Sequence, residues 1–107
     1  MDDTEEREGI RDKVVETLRT VKDPEIPVNI YDLGLIYEID VQPFGVVGVR
    51  MTLTAPACPV ADAIVAEVQE KLNAIPEVSG AYVELVWDPP WSRERMSEDA
   101  RLELNLL

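Results

Sequence analysis

The fold is decided by residues 46–87, VVGVRMTLTAPACPVADAIVAEVQEKLNAIPEVSGAYVELVW. Along this stretch the spacing between apolar residues changes twice. In residues 46–54, apolar side chains alternate with small or polar ones, as in a half-buried strand. In residues 61–75 the apolar side chains are three and four apart, which predicts an amphipathic helix that Pro76 ends. Residues 81–87 alternate again as a third strand. This order favours a parallel strand pair joined by a right-handed crossover.

The flanking sequence predicts one further strand and two further helices. Residues 4–20 carry an acidic first turn and apolar residues at helical spacing, and two prolines in KDPEIPVN, residues 22–29, break that helix. LGLIYEIDVQ, residues 33–42, alternates as a strand that pairs with the next one through the turn PFG, residues 43–45. The tail from Ser97 begins like a capped helix although its leucines alternate, and we predict a short helix.

These elements predict an α+β fold. The expected architecture is a small open α/β sandwich of order α-β-β-α-β-(short α), with a three-stranded mixed sheet and the main helices on one face. The 107 residues contain no internal repeat and no low-complexity tract, and this length suits one modest core. We therefore expect a single domain over residues 1–107.

The charge balance excludes several classes of function. The chain has 22 acidic and 10 basic residues, no histidine and a formal charge of -12, so it repels nucleic acids and anionic membranes. Without histidine, Ser-His-Asp, Cys-His and HExxH chemistry are excluded. The sequence has neither a signal-like apolar segment nor a membrane-spanning one, which predicts a cytoplasmic protein. The many carboxylates form either a solvated surface or a docking face for a basic protein.

Cys58 is the one cysteine and the first candidate for chemistry. It follows a strand and precedes Pro59, and proline favours the first position of a helix, so Cys58 is the expected N-cap. Free N–H groups and the helix dipole at that position favour thiolate over thiol. A lone cysteine is, however, often a small buried hydrophobic residue. The residue pattern leaves both readings open.

Three carboxylates in and after the first loop could accompany Cys58. Asp23, Glu25 and Asp32 would supply oxygen ligands or a proton acceptor if that loop folds over the strand ends. The alternative is local: Asp23 and Asp32 cap turns. Gly34 is expected to adopt a backbone conformation closed to other residues.

Both tryptophans lie in WDPPWS, residues 87–92. Trp87 falls on the apolar face of the third strand and is expected in the core. Trp91 is the better candidate for a contact surface, with a capping role over the sheet edge as the alternative.

Three ordered segments, DPEIPVNIYDLGLIY, MTLTAPACP and VELVWDPPWSRERMSEDAR, resemble the SufT/PaaD-like family of metal-sulfur cluster biosynthesis proteins. The resemblance extends from about Val21 to Arg101. It implies a non-enzymatic role in maturing iron-sulfur clusters or delivering them to apoproteins, with Fe-S assembly or carrier proteins and client apoproteins as partners. The chain looks like the short stand-alone SufT-like form, because it has neither the cysteine-rich extension of PaaD proteins nor the P-loop ATPase domain of some relatives.

The resemblance also implies the site residues. Cys58 matches the family's reactive cysteine, with the acidic loop expected nearby. The candidate binding residues taken from the matching positions are Cys58, Asp23, Glu25, Asp32, Thr54 and Trp91.

One cysteine and no histidine cannot close a four-ligand metal site within one chain. We therefore expect any iron-sulfur cluster to be bound transiently between chains, with Cys58 as an inter-chain ligand. A two-fold homodimer that brings two Cys58 side chains together is the simplest arrangement. Two other classes remain open: a thiol-dependent enzyme or redox protein using Cys58, and a structural protein-interaction module.

Overall fold

The computed structural model describes residues 3–23, 26–54 and 61–105. The helices and strands are α1 (Asp3–Leu18), β1 (Ile36–Val41), β2 (Val46–Met51), α2 (Ala61–Asn73), β3 (Gly80–Leu85) and α3 (Glu98–Asn105). Short 3-10 turns lie at Pro43–Gly45 and Arg93–Arg95. This confirms the predicted order and the α+β class. In the described ranges, no helix is long and apolar enough to cross a membrane.

The three strands form one mixed sheet with β2 at its centre. Val49 of β2 pairs with Ile39 of the antiparallel strand β1 and with Val83 of the parallel strand β3. The hairpin and the parallel pair were both predicted from the alternation of apolar residues. Both β1 and β3 are edge strands of this sheet.

The core lies on one face of the sheet. Val47, Val49 and Met51 of β2 are almost fully buried and belong to one cluster with apolar side chains of α1 and α2. Burying a side chain of this size stabilises the fold by roughly 1.5–3 kcal/mol relative to leaving it exposed. On the other face, Arg50 lies between two glutamates of the neighbouring strands, at 3.3 Å and 3.4 Å, and stays exposed. The helices therefore cover one face only, as predicted.

The placement of Trp87 in the core was wrong. The strand β3 ends at Leu85, and the Val86 amide makes the last bond to β2, with the carbonyl of Met51 at 2.8 Å. Trp87 lies beyond this point, so the alternation of the strand no longer sets its direction, and it is 41% exposed.

The tail forms the short helix predicted for it. The Ser97 hydroxyl accepts a hydrogen bond from the Ala100 amide at 3.1 Å, as expected of an N-cap. The buried residue Ala100 packs into the core, whereas Leu102 is exposed. Alternation of the leucines therefore did not indicate a strand here.

Candidate functional site

The first loop folds back on itself directly after α1. The Ile30 amide donates to the Val21 carbonyl at 2.8 Å, and the Asp23 amide donates to the Val28 carbonyl at 3.2 Å. This antiparallel ladder is short because the loop contains two prolines, which cannot donate backbone hydrogen bonds. Its effect is to hold Asp23 in a fixed position, with only 6% of the residue exposed.

The buried carboxylate of Asp23 joins this loop to the chain after β2. One oxygen accepts the Ile26 amide at 2.9 Å, which caps the loop, and the other accepts the Thr54 hydroxyl at 3.4 Å. The Thr52 amide reinforces the junction by donating to the Leu35 carbonyl at 2.9 Å. Two of the sequence-predicted site residues, Asp23 and Thr54, are thus brought together from positions 31 residues apart.

Asp32 makes a separate set of contacts. Its carboxylate accepts the Asn29 side-chain amide at 2.8 Å and lies 3.7 Å from the guanidinium of Arg19. The Asp32 amide in turn donates to the Asn29 side-chain carbonyl at 2.8 Å. These are turn-capping interactions, the local alternative considered for this residue.

The segment that follows β3 closes over the same loop. The indole N–H of Trp91 donates to the carbonyl of the buried residue Leu33 at 2.6 Å, and the ring is half-buried against the core. The Ser97 amide donates to the Asp32 carbonyl at 2.7 Å. Trp91 therefore attaches the segment after β3 to the loop that precedes β1.

Gly34 allows a close approach between these two segments. Its φ is +80°, and a Cβ built at this position would lie 2.1 Å from the backbone oxygen of Arg95. Only glycine fits such a position, as the sequence predicted.

Cys58 and Glu25 lie outside the described residues, and Cys58 falls between Thr54 and Ala61 in the sequence. Within the ranges that the structure describes, no three Asp, Glu, His or Cys side chains come together in a way that could hold a metal ion. Asp23 and Asp32 are engaged in the contacts above rather than in a shared carboxylate cluster.

Thr52 is a residue that sequence reasoning missed. Its alternation placed it on the polar face of the second strand, yet it is only 1% exposed. The described part of the chain offers its buried hydroxyl no hydrogen-bond partner. Nothing in the sequence indicated this burial, because β2 ends at Met51 and the alternation of the strand does not extend to Thr52.

We expect Thr52→Val to raise the free energy of unfolding by about 1 kcal/mol, because a buried hydroxyl without a partner costs desolvation energy. Urea denaturation measures the change. Thr52→Ser is the matched control: it keeps the hydroxyl, removes a methyl group, and should be less stable than the wild type. A Val variant less stable than the wild type would contradict this account of Thr52.

Comparisons with known proteins agree with this arrangement. Residues 11–85 match the iron-sulfur cluster assembly protein family. The chain is 53% identical over 94 residues to an Fe-S protein maturation auxiliary factor of Porphyromonas gingivalis, covering 88% of this chain and 90% of that one. It is 41% identical over 86 residues to the Fe-S protein maturation auxiliary factor SufT of Staphylococcus aureus, covering 80% of this chain and 98% of that one.

A solved structure is similar over the whole fold. The crystal structure of a domain of unknown function, DUF59, from Bacillus anthracis superposes with a TM-score of 0.91 and 37% identity, covering 98% of this chain and all of that one. The chain belongs to the iron-sulfur cluster assembly protein family. Within that family it is SufT-like, as the three ordered sequence segments predicted.

Proposed function

We propose that this protein is a cytoplasmic maturation factor that passes iron-sulfur clusters to apoproteins through Cys58, and that it is not itself an enzyme. The observation that carries the proposal is the convergence of the three family-like segments. Asp23 of the first segment contacts Thr54 of the second, and Leu85 of the third pairs with Met51 of the second, so the first and third segments both contact the chain that leads to Cys58. Thr54 is four residues before Cys58 in the sequence, and Ala61, where α2 begins, is three residues after it.

The cluster is cargo in this proposal, and its chemistry is ligand exchange. The Cys58 thiolate bonds to one iron of the cluster; on handover that Fe–S bond breaks and a bond to a client cysteine forms. The client thiol releases its proton to solvent, and no electrons are transferred. A single thiolate holds the cluster weakly, and this favours release to a client that offers several cysteines.

The remaining ligands come from outside the chain, because it contains one cysteine and no histidine. A second copy, a partner protein or a small thiol could each complete the site. Asp23 and Asp32 are assigned a positioning role, since their carboxylates already bind groups of the protein. Glu25 and Cys58 remain predictions from the sequence.

Anaerobic cluster reconstitution tests the proposal. The wild type should acquire bound iron and sulfide with cluster absorbance, and should then activate an apo-[4Fe-4S] enzyme on mixing. Cys58→Ala and Cys58→Ser should both lose at least about nine-tenths of the bound iron and of the transfer. Phe44→Ala is the control and should behave as the wild type, because Phe44 is 95% exposed and lies in the turn before β2, at the opposite end of that strand from Thr54.

Iron content that is unchanged in Cys58→Ala would contradict the proposal. One cluster per two chains, measured together with the mass of the complex, would identify a second copy as the source of the missing ligands.

The two competing classes predict different results. A thiol enzyme needs an activated cysteine, so an apparent pKa at or above the free-thiol value of about 8.5, from alkylation of Cys58 against pH, would count against it. A purely structural interaction module would keep Fe-S enzyme maturation in cells after Cys58→Ser but lose it after charge reversals on the acidic surface. The proposed role predicts the opposite: Cys58→Ser should impair Fe-S enzyme maturation more than the charge reversals do.

A further inference from the structure

The outer edge of β3 pairs with no other strand of the described residues and lies beside an open groove. The sheet order makes β3 an edge strand, and the groove between β3 and α2 has a volume of about 520 Å³. The apolar side chains that line it are Val65, Ala66, Val83 and Leu85. An exposed strand edge of this kind is a template for pairing with another chain.

Hydrogen bonds at both ends of β3 show which backbone groups point outward. The Val86 amide donates to Met51 of β2, whereas the Ala81 amide donates to the Asn73 side chain at 3.0 Å. Because successive residues of a strand point their amides to opposite sides, Val83 and Leu85 point outward with Ala81. Asn73 caps only the first of these three outward amides.

The charge at the groove identifies the kind of occupant. Among the residues that the structure describes, Asp62 and Glu70 are the charged ones that line it, and none of the lining residues is Lys or Arg. Lys71, the basic residue in the same helix, points instead to Glu67, 3.0 Å away, and to the Thr20 hydroxyl, 3.2 Å away. A second copy of this chain carries the same two carboxylates and a net charge of -12, and so is repelled.

We infer that this groove binds an extended, basic polypeptide segment of a partner protein, which adds a fourth strand beside β3. The segment would pair with the outward backbone groups of Val83 and Leu85, place apolar side chains in the groove, and present Lys or Arg to Asp62 and Glu70. The span from Asp62 to Asn73 along α2 is about 16 Å, enough for roughly five extended residues.

The groove also has a direction. At one end of the groove, Asn73 lies beside the start of β3. At the other end, Asp62 lies in the first turn of α2, and this helix begins three residues after Cys58 in the sequence. The identification of this partner as an apoprotein that receives clusters rests on the proposed function. The strand addition itself does not depend on Cys58.

A defined peptide tests the inference. The probe is an acetylated eight-residue peptide of alternating lysine and valine, titrated into the full chain labelled with ¹⁵N. We expect saturable shifts of the Val83 and Leu85 amides and slower hydrogen exchange at both. A peptide of alternating glutamate and valine should bind at least about tenfold more weakly, and added salt should weaken binding of the lysine peptide.

Matched charge reversals separate the groove from general attraction to an acidic protein. Asp62→Lys with Glu70→Lys should weaken binding about tenfold. Glu16→Lys with Glu103→Lys makes the same change in net charge at exposed positions that do not line the groove, and should have little effect. Cys58→Ala should bind the peptide as the wild type does even if it fails in cluster transfer, so the two proposals can fail separately.

Three results would overturn the inference. One is the absence of saturable changes at Val83 and Leu85. Another is equal weakening by both pairs of charge reversals. The third is a concentration-dependent change at these amides without peptide, which would identify a second copy as the occupant.

Discussion

Gly34→Ala is expected to lower the free energy of unfolding by at least about 3 kcal/mol. Two costs combine: an L-residue at positive φ costs roughly 1–2 kcal/mol, and the new methyl group meets the carbonyl of Arg95. At 2.1 Å the obstacle is backbone, so the 93–95 turn or the 31–34 loop must move. The Ser97 amide and the Trp91 indole both bond to that loop, and we expect these contacts to weaken together. Urea and thermal denaturation measure the loss.

Gly9→Ala is the control, with an effect of opposite sign. Gly9 lies within α1, is exposed, and has no heavy atom within 4 Å of an added Cβ. Alanine there should stabilise the protein by about 0.5–1 kcal/mol through helix propensity. If both substitutions changed stability by similar small amounts, the close approach of Gly34 to Arg95 would be refuted.

Trp91→Ala is expected to destabilise the protein by about 2–4 kcal/mol. The ring packs half-buried against the core, and its loss would also remove the donor to the Leu33 carbonyl, in a residue that is 0% exposed. Trp91→Phe keeps much of the ring but removes the hydrogen bond, so this variant should be less stable than the wild type by about 1–2 kcal/mol. Denaturation followed by far-UV circular dichroism measures both variants.

Trp87→Ala provides the matched comparison of stability, because both tryptophans lie in the segment 87–92. This indole is 41% exposed and lies beyond the last bond between β3 and β2, so its loss should cost less than about 1 kcal/mol. In Trp87→Ala the remaining tryptophan is Trp91, and its emission maximum should lie at a shorter wavelength than that of Trp87 in Trp91→Ala. Equal costs for the two alanine variants would contradict the assigned role of Trp91.

The fold was predictable because it depends on local periods of hydrophobicity. The alternation of Val47, Val49 and Met51 determines which face of β2 is buried, and one residue of slip would expose all three. Trp87 was placed wrongly for the same reason. Trp87 continues the alternation of β3 in the sequence. The pairing of β3 stops at Leu85, opposite Met51, because β2 ends there. The sequence of one strand does not show where the neighbouring strand ends.

The contacts made by the candidate site residues were not predictable from the sequence. Asp23 and Thr54 were both named from sequence, yet their contact depends on the folded loop, which the sequence does not specify at a range of 31 residues. Trp91 was also named from the sequence, yet its bond to the Leu33 carbonyl joins residues 58 apart and has no local sequence signal. Thr52 had no sequence signal, because β2 ends at Met51 and the alternation of the strand does not set the direction of the next residue.

The position of β2 at the centre of the sheet has a consequence for the order in which the protein folds. Val49 pairs with Ile39, ten residues before it, and with Val83, thirty-four residues after it. Closing the longer loop costs more chain entropy, so the hairpin is expected to form before the parallel pair. Cys58 belongs to that longer loop. During synthesis, the loop that contains Cys58 is therefore closed only after β3 has left the ribosome and paired with β2.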